Sequence, residues 1–429
     1  MSRSVLMVSW LFAPNVSIGA KRALRFARWL PSHGWRPTVL CRRVTPASQR
    51  DPSPAHLPPE VTVRHEYDHP VFARFAAGEA APSTVAPPAP LARSLRERLA
   101  ERWNLFVDAM VPTETVAIHA PHAMARIDAL APAHDLLWTT SYPYHTHALG
   151  LRAARRHRKA LVVDLRDPWT PNWVHRRKFP HARAIEARLE REAIAGADAV
   201  VVTTEALAAL YREMFPAHAR KFRCVHNAFD PVAPDAPPPE LRTSDAPRRL
   251  VHFGNVYGPW SFETLYRALA ALRREGSLPP VVLENYGKLS DRDRDLAASL
   301  GVADIVRVLP TLAYDRGLAR LRGADALLLA AWDDPDARLY VQGKVFDYLA
   351  AARPIVAESA HPDIRHIVAD TGAGTVVSPG DVRAMADALR PLLRGEAVPP
   401  TRDESAVAYY SAREATGRLA VIFDEVMRP

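Results

Sequence analysis

The sequence is poor in cysteine and has no long hydrophobic run. Cys41 and Cys224 are the two cysteines in 429 residues, which excludes a disulfide scaffold and fits a reducing cytosol. The apolar start, from Val5 to Phe12, stops at Pro14, is too short to span a bilayer and lacks a small-residue cleavage site. We therefore interpret it as a buried strand and expect a cytoplasmic protein, at most peripheral on the inner face of a membrane.

Several catalytic motifs are also missing. The sequence has no Gly-x-Ser-x-Gly turn, no His-Glu-x-x-His pair and no phosphate loop that ends in Gly-Lys-Ser or Gly-Lys-Thr. His145 and His147 do not share a helix face and have no third ligand nearby, so we expect no metal site. Either histidine, at the end of a strand, suits a hydrogen bond to an acceptor hydroxyl or a phosphate, or a buried structural role.

The charge balance indicates what kind of partner to expect. A formal net charge of +9 favours an anionic partner, such as a nucleotide or an acidic lipid headgroup. Nucleic acid ranks last, because no zinc-finger spacing or other nucleic-acid motif is present.

Short apolar runs alternate with helical stretches along the whole chain, a pattern typical of parallel sheets with helices on both faces. The predicted strands of the first half are 5–10, 37–41, 61–64, 135–138, 161–165, 199–203 and 222–225. Those of the second half are 250–253, 281–285, 305–308, 326–330, 354–357 and, more weakly, 375–377. The sequence therefore predicts an α/β protein with two doubly wound, Rossmann-like domains, whose ligands bind beyond the carboxyl ends of the strands in a cleft between them.

Composition sets the expected domain boundaries. The first domain covers 1–228, and a Pro-rich linker at 229–248 leads to a second domain at 249–400. A helix in 401–429 is expected to pack back on the first domain. An insert at 70–112 is rich in Ala and Pro and then helical, with apolar residues at 91, 95, 99, 103 and 106 among arginines. A core-packed amphipathic helix is the commoner reading of that spacing, and a membrane-surface helix is the alternative.

The segment 342–349 combines a glycine, a cation and a carboxylate at the start of an amphipathic helix. Lys344 and Asp347 are three residues apart and therefore share a helix face. The free N–H groups of a helix N-terminus after Gly343 attract phosphate, Lys344 adds a full charge, and Asp347 can accept hydrogen bonds from sugar hydroxyls. These residues suit a nucleotide diphosphate and its ribose, although an ordinary helix with a polar face fits the segment equally well.

Other polar residues follow predicted strands. Gly19 lets the backbone approach a ligand at a helix start, although many such turns are only structural. Arg166 and Asp167 follow Asp164 in a charged strand end, for which we favour a role in ligand binding over pairing among the three. The aromatic residues that come next are interleaved with basic ones and suit an amphipathic or anionic acceptor: Trp169, Trp173 and Phe179.

The second half has its own candidates. Gly254 and Asn255 end the first strand of that half, and Lys288 follows the next strand, where it either meets a phosphate or is a solvated loop lysine. The loop at Thr311 and Leu312 offers backbone groups suited to the edge of a nucleobase.

Together these segments resemble a GT-B glycosyltransferase of the family-four, retaining type, which acts in bacterial polysaccharide or glycoconjugate assembly. The resemblance covers nearly the whole chain and rests on segments 5–10, 19–24, 164–169, 252–255 and 343–354, in that order. It implies an acceptor-side domain at 1–228 and a nucleotide-sugar donor domain at 249–400. It also implies that no cofactor or metal is needed, since the nucleotide sugar is a substrate.

The resemblance assigns roles to residues. It implies that Asp347 binds the donor ribose, that Gly343 and Lys344 meet the diphosphate, and that Gly19 faces the diphosphate from the acceptor side. His147 and Arg166 or Asp167 would face the donor sugar and the acceptor. The catalytic candidates are therefore His147, Arg166, Asp167 and Lys344. The donor-binding candidates are Gly19, Gly254, Asn255, Lys288, Thr311, Leu312, Gly343, Lys344 and Asp347.

The chain departs from the family at the donor site. The family has two glutamates separated by seven residues, but here Leu339 takes the first position and Asp347 the second. Asn255 and Trp260 stand where many members carry an arginine and a lysine. Neutralisation of the phosphates must then fall on Lys344, Lys288 or Arg338.

The leading hypothesis is transfer of a sugar from a nucleotide-diphosphate donor to a glycan or lipid-linked acceptor, with retention and with an anionic membrane surface as a further partner. Two alternatives are a catalytically silent GT-B scaffold of a membrane-associated assembly complex and a nucleotide-sugar 2-epimerase.

Overall fold

The computed structural model divides the chain into two compact units. It describes residues 3–15, 18–43, 57–71, 103, 106–232, 236–241, 243–257, 260–312, 314–332, 339–396 and 402–428. The first unit holds the described residues up to Asn227 and those from Ala412 onward, and the second unit holds Ala228–Ser411.

Within its described residues, the first unit is built on seven parallel strands. They are β1 Arg3–Val8, β2 Trp35–Cys41, β3 Thr62–His65, β4 Leu136–Thr140, β5 Ala160–Leu165, β6 Ala199–Val202 and β7 Phe222–Cys224. Their order in the sheet is β3-β2-β1-β4-β5-β6-β7. The helices are α1 Ile18–Trp29, α2 Ala120–Leu130, α3 His145–His157, α4 Trp173–Arg176, α5 Pro180–Gly196 and α6 Glu205–Met214. The seven predicted strands of this half are all present, each within a few residues of its expected bounds.

The described part of the second unit carries a six-stranded parallel sheet and one small strand pair. The strands are β8 Arg248–Phe253, β9 Trp260–Ser261, β10 Val281–Tyr286, β11 Val306–Leu309, β12 Ala326–Leu329, β13 Ala331–Trp332, β14 Ile355–Glu358 and β15 Gly374–Val377. The sheet order is β11-β10-β8-β12-β14-β15, and β9 pairs antiparallel with β13. The helices are α7 Glu263–Arg274, α8 Asp291–Ser299, α9 Tyr314–Arg322, α10 Lys344–Ala351, α11 Pro362–Asp370, α12 Val382–Arg394 and α13 Glu404–Tyr409.

Burial on both faces explains why the strands read as continuous apolar runs. In β12, Leu327 and Leu329 belong to one hydrophobic cluster and Leu328 to another, because successive side chains of a strand point to opposite faces. Residues 5–8 of β1 are completely buried as well. A strand with helices on both faces has no solvent side and therefore no alternation of polar residues.

The strand order places one switch point in each sheet. In the first sheet, the chain runs outward from β1 through β2 and β3 and then continues on the other side at β4. In the second sheet, it runs from β8 through β10 and β11 and then returns to β12 on the other side of β8. Ligands of such sheets bind beyond the carboxyl ends of the strands at this switch point. The carboxyl ends of β8 and β12 are therefore the first place to look in the second unit.

The end of the chain returns to the first unit. The helix α14 Ala412–Val426 packs against that unit, where Phe423 lies edge-to-face on Trp35 with ring centroids 5.2 Å apart. The expected helix in 401–429 is thus divided, since α13 lies in the second unit. The described part of the predicted linker also belongs to the second unit, where Arg322 donates to the carbonyl of Pro237 at 3.1 Å.

Part of the predicted insert is described. Residues 106–110 are helical, and the side chains of Trp103 and Phe106 are 64% and 47% exposed. This exposure goes against the core-packed reading for these two residues. Leu91, Leu95 and Leu99 lie outside the described residues.

Candidate functional site

His252 is the buried centre of the second unit's switch point. It lies on β8, has no exposed surface, and its Nδ1 is 2.8 Å from the carbonyl oxygen of Leu328 on β12. Because a carbonyl can only accept, Nδ1 carries the proton and Nε2 is an acceptor. Burial lowers the pKa of His252 well below its ordinary value, so the ring is neutral.

Lys344 donates to this imidazole. Its Nζ lies 3.1 Å from Nε2 of His252, and the lysine is the first residue of α10, directly after Gly343. Desolvation lowers the pKa of Lys344 to about 8, so the ammonium form still predominates at neutral pH. Among the described residues, no carboxylate lies within ion-pair distance of Nζ. Lys344 is therefore a half-buried cation whose charge the described part of the protein does not neutralise.

Two glycines let the backbone come close to this cation. Gly254, just after β8, has φ +129°, and a Cβ there would lie 3.0 Å from the Nζ of Lys344. Gly287, just after β10, has φ +147°, and a Cβ there would lie 2.5 Å from the carbonyl oxygen of Gly254. Both glycines have backbone conformations that residues with side chains rarely adopt, and at Gly287 the backbone of Gly254 also leaves no room for a Cβ. The sequence flagged Gly254 but not Gly287.

Asn255 joins the two strand ends. Its Oδ1 accepts from the backbone N–H of Lys288 at 2.8 Å, so the amide holds the loop after β10 against the loop after β8. This contact gives Asn255 a structural function in addition to its predicted role at the donor. The side chain of Lys288 is exposed.

Asp347 lies one turn after Lys344 on α10 and is half-buried. The hydroxyl of Tyr314, at the start of α9, donates to its Oδ1 at 3.1 Å. The next residue, Tyr348, is buried, and its hydroxyl donates to the carbonyl of Leu328 at 3.1 Å and accepts from the N–H of Phe253 at 3.0 Å. Tyr348 thus ties α10 to β8 and β12 and fixes the face that carries Lys344 and Asp347.

The remaining donor-side candidates lie around this centre. Thr311 is exposed and Leu312 half-buried in the loop between β11 and α9. Leu339 is half-buried ahead of α10, whereas Arg338 lies outside the described residues. Gln342, which was not among the candidates, donates to the carbonyl of Ala330 at 2.8 Å, and its Oε1 is buried without a hydrogen-bond partner.

In the first unit, three predicted residues come together at the carboxyl end of β5. Arg166 Nη1 donates to the carbonyl of Gly19 at 2.9 Å, and its Nε lies 3.5 Å from an oxygen of Asp167. A Cβ on Gly19 would lie 2.7 Å from that guanidinium and 2.6 Å from a methyl group of Leu11, so a side chain there would displace Arg166 from its contact. Asp164 lies apart from them and pairs with Arg22 on α1, at 3.0 Å. Arg166 and Asp167 thus form a partly exposed pair, whereas Asp164 joins β5 to α1 through a buried ion pair.

The placement of His147 goes against its predicted contact with the donor sugar. It has no exposed surface, its Nδ1 lies 2.9 Å from the hydroxyl of Thr139, and its Nε2 is buried without a partner. Burial lowers its pKa to about 3, so it is neutral and cannot reach a ligand in this arrangement. Trp169, proposed above as part of an acceptor surface, is also buried and stacks on Tyr144 with centroids 5.2 Å apart.

The fold and the site define an α/β protein with two Rossmann-like domains and a cation at a strand–helix switch point, an arrangement typical of nucleotide-binding proteins. Two family models match the sequence: a glycosyl transferase 4-like domain over residues 19–228 and glycosyl transferases group 1 over residues 247–395. The chain belongs to the GT-B glycosyltransferases of the family-four type, as the resemblance predicted. No curated protein sequence matches it.

Solved structures share the fold. Sucrose-phosphate synthase from Thermosynechococcus elongatus is 15% identical over 99% of this chain and 98% of its own, with a TM-score of 0.59. A glycosyltransferase from Rickettsia africae ESF-5 is 12% identical over 100% of this chain and 99% of its own, with a TM-score of 0.61. HepE from Anabaena, in complex with UDP, is 14% identical over 99% of this chain and 100% of its own, with a TM-score of 0.57. At these identities the likeness supports the fold alone.

Proposed function

We propose that this glycosyltransferase moves a sugar from a nucleotide-diphosphate donor to a hydroxyl of a glycan or lipid-linked acceptor, with retention at the anomeric carbon. The observation that carries the proposal is Lys344, a half-buried cation without a carboxylate partner among the described residues, placed over the backbone of Gly254. A half-buried charge without a counter-ion is unfavourable, and a diphosphate would supply the missing negative charge. Anabaena HepE, which shares the fold, is described in complex with UDP and with UDP-glucose.

The chemistry follows from the position of that charge. The bond between the sugar's anomeric carbon and the diphosphate oxygen breaks, and negative charge develops on the departing diphosphate. Lys344 and the positive end of the α10 dipole would stabilise this charge in the transition state. The acceptor oxygen bonds to the anomeric carbon on the face that the diphosphate leaves, and its proton passes to the departing diphosphate. Asp347, held by Tyr314, would bind the ribose and fix the donor.

The direct experiment is a thermal-shift panel of nucleoside mono- and diphosphates, followed by transfer and hydrolysis assays with the sugar nucleotides of whichever base binds. We expect at least one nucleoside diphosphate to raise the Tm of the wild-type protein and to do so less in Lys344→Met. The surface variant Arg383→Met is a matched control, since Arg383 is 94% exposed on α12. No stabilisation by any nucleotide would favour the scaffold alternative. Epimerised donor formed in the absence of acceptor would favour the epimerase.

The reaction is proposed to need no metal. Within the described ranges, no group of three His, Cys, Asp or Glu residues is arranged to hold a metal ion. Whether catalysis is metal-independent stays a prediction, and transfer should continue in EDTA. Loss of transfer in EDTA with recovery on adding Mg²⁺ or Mn²⁺ would contradict it.

The acceptor is proposed to lie at an anionic membrane surface on the cytoplasmic side. Three exposed aromatic residues of the first unit form a group around Phe106, whose ring centroid lies 5.8 Å from that of Trp103 and 5.9 Å from that of Phe179. Arg176, Arg177 and Lys178 directly precede Phe179 in the chain, and aromatic side chains near basic ones suit an anionic interface. None of the helices in the described regions combines the length and apolarity that a bilayer crossing requires.

Vesicle flotation tests this part of the proposal. The wild-type protein should float with vesicles that contain anionic lipid and not with purely zwitterionic vesicles. The double variant Trp103→Ser/Phe179→Ser should lose this binding. Val421→Ser, which changes a 56% exposed apolar residue on α14, should keep it. Equal flotation of all three proteins would exclude the aromatic group as the contact.

A further inference from the structure

We propose that His252 is a positioning residue for Lys344: as a neutral acceptor it holds the ammonium above Gly254 in the orientation that meets the donor's diphosphate. The inference rests on the proposed function, because it concerns the same site. His252 itself contacts no substrate, since its side chain has no exposed surface.

The hydrogen bonds of the ring define its role. The carbonyl of Leu328 fixes the proton on Nδ1, at 2.8 Å, and thereby leaves Nε2 as an acceptor for Lys344, at 3.1 Å. Phe262 lies edge-to-face against the ring, with centroids 5.0 Å apart, and prevents the imidazole from turning. The orientation and the tautomer are thus both set before any ligand arrives.

A neutral acceptor leaves the positive charge of Lys344 available to a ligand, which a carboxylate would not do. A carboxylate at the position of His252 would neutralise Lys344, and an incoming diphosphate would then have to compete with a short ion pair. An imidazole takes one of the three ammonium hydrogens and leaves the net charge in place. The lysine side chain is long and flexible, so a fixed acceptor also reduces the conformational entropy that binding must remove.

The close approach at Gly254 gives the ammonium a defined place. A Cβ on Gly254 would lie 3.0 Å from Nζ and 3.5 Å from Cε of Lys344, so the lysine runs directly over the glycine backbone. His252 accepts one hydrogen of the ammonium, and the remaining hydrogens are available to phosphate oxygens.

Two substitutions separate positioning from a structural role. In His252→Asn, the short amide can still donate to Leu328, as Nδ1 does, but does not reach Lys344. In His252→Gln, the longer amide can present its oxygen to Lys344, where Nε2 lies now, but loses the bond to Leu328. If His252 positions Lys344, the glutamine variant should bind better than the asparagine variant. If His252 only stabilises the strands, the order should be reversed.

The experiment measures the Kd of each variant by calorimetry for UDP, GDP, ADP, CDP and dTDP, and for the monophosphate of the base that binds. We expect His252→Asn to weaken binding of the diphosphate about 10-fold and the monophosphate much less, because one charge-assisted contact is misplaced. We expect His252→Gln to recover most of the loss. In a Lys344→Met background, His252→Asn should have no further effect on the Kd, because the two residues act through one contact.

The outcomes distinguish this inference from the proposed function. If the wild-type protein binds none of the nucleotides, the proposed function fails. If it binds and His252→Asn has the same Kd and the same preference for diphosphate, the inference is overturned. It is also overturned if both variants lose monophosphate and diphosphate binding equally, together with a lower Tm, since that is the signature of a structural role.

Discussion

Each unit holds a buried or half-buried basic side chain on a helix that follows a parallel strand, and the two cations differ in what surrounds their charge. Arg22 of α1 is buried, pairs with the buried carboxylate of Asp164 at 3.0 Å and donates to the carbonyl of Val225 at 2.9 Å. Lys344 of α10 has one neutral acceptor, His252, and no carboxylate in ion-pair distance among the described residues. A cation whose charge is neutralised internally stabilises the fold, whereas one whose charge is left over is suited to a ligand.

Replacing Arg22 and Lys344 in turn should affect stability in one case and activity in the other. Arg22→Met should lower the free energy of unfolding by about 3–5 kcal/mol, because it leaves the carboxylate of Asp164 buried without its partner. Urea unfolding measures this, with Arg383→Met as the exposed control, where the change should stay below about 1 kcal/mol. Equal stability of Arg22→Met and the wild-type protein would show that the buried pair does not act as a clamp.

Lys344→Met should show the opposite pattern, with a large effect on activity and a small effect on stability. Turnover should fall by about 10- to 150-fold, the equivalent of one charge-assisted contact of roughly 1.5–3 kcal/mol. The free energy of unfolding should change little, because the unpaired Nε2 of His252 is offset by removal of a half-buried charge. Steady-state transfer assays and urea unfolding on the same preparation check both parts. Unchanged activity would remove Lys344 from the site.

The pH dependence gives a further contrast. Because desolvation lowers the pKa of Lys344 to about 8, nucleotide affinity should fall as pH rises through this value, by about 10-fold between pH 7 and pH 9. The free energy of unfolding should change with pH in the opposite direction to the nucleotide affinity. Between pH 8 and the ordinary lysine pKa, the unfolded chain binds the additional proton, so stability should rise with pH.

Calorimetric titrations from pH 7 to 9.5 test this dependence, with Lys344→Met as the control. The variant should lack the decline in affinity above pH 8. The same decline in both proteins would assign it to another group.

The smallest effect is expected at the ribose. Asp347→Asn should weaken nucleotide binding about 5-fold, since an amide accepts hydrogen bonds from sugar hydroxyls less strongly than a carboxylate does. The loss should be smaller for the matching 2′-deoxynucleotide if that hydroxyl is the partner. Tyr314→Phe, which frees Oδ1 of Asp347 from its hydroxyl donor, should have an effect in the same direction. Equal affinity of Asp347→Asn and the wild-type protein would contradict the ribose assignment.

The strands and the start of α10 could be predicted from the sequence because each depends on local pattern. A strand buried on both faces is a short apolar run, and the spacing of Lys344 and Asp347 defines one helix face without reference to the rest of the chain. The partner of Lys344 could not be predicted, because His252 lies 92 residues away and becomes its neighbour only through the order of strands in the sheet. The partner of Asp164, which is 142 residues away, was unpredictable for the same reason.

The complete burial of His147 could not be predicted from the sequence. A histidine just after a strand looks exposed to a ligand, but α3 begins at His145, so both histidines belong to its first turn. Which residues of a helical turn face the core depends on packing, and here His147 packs under Thr139 and beside Trp169. Burial of this kind leaves no signal in the spacing of the residues.

The role of Lys344 is tested most directly by a crystal structure of the protein with the nucleoside diphosphate that binds. We expect Nζ of Lys344 to lie within hydrogen-bond distance of a diphosphate oxygen, about 2.7–2.9 Å, and to keep its bond to Nε2 of His252. A diphosphate bound away from Lys344, or a Lys344 that leaves His252 to pair with a carboxylate, would contradict it.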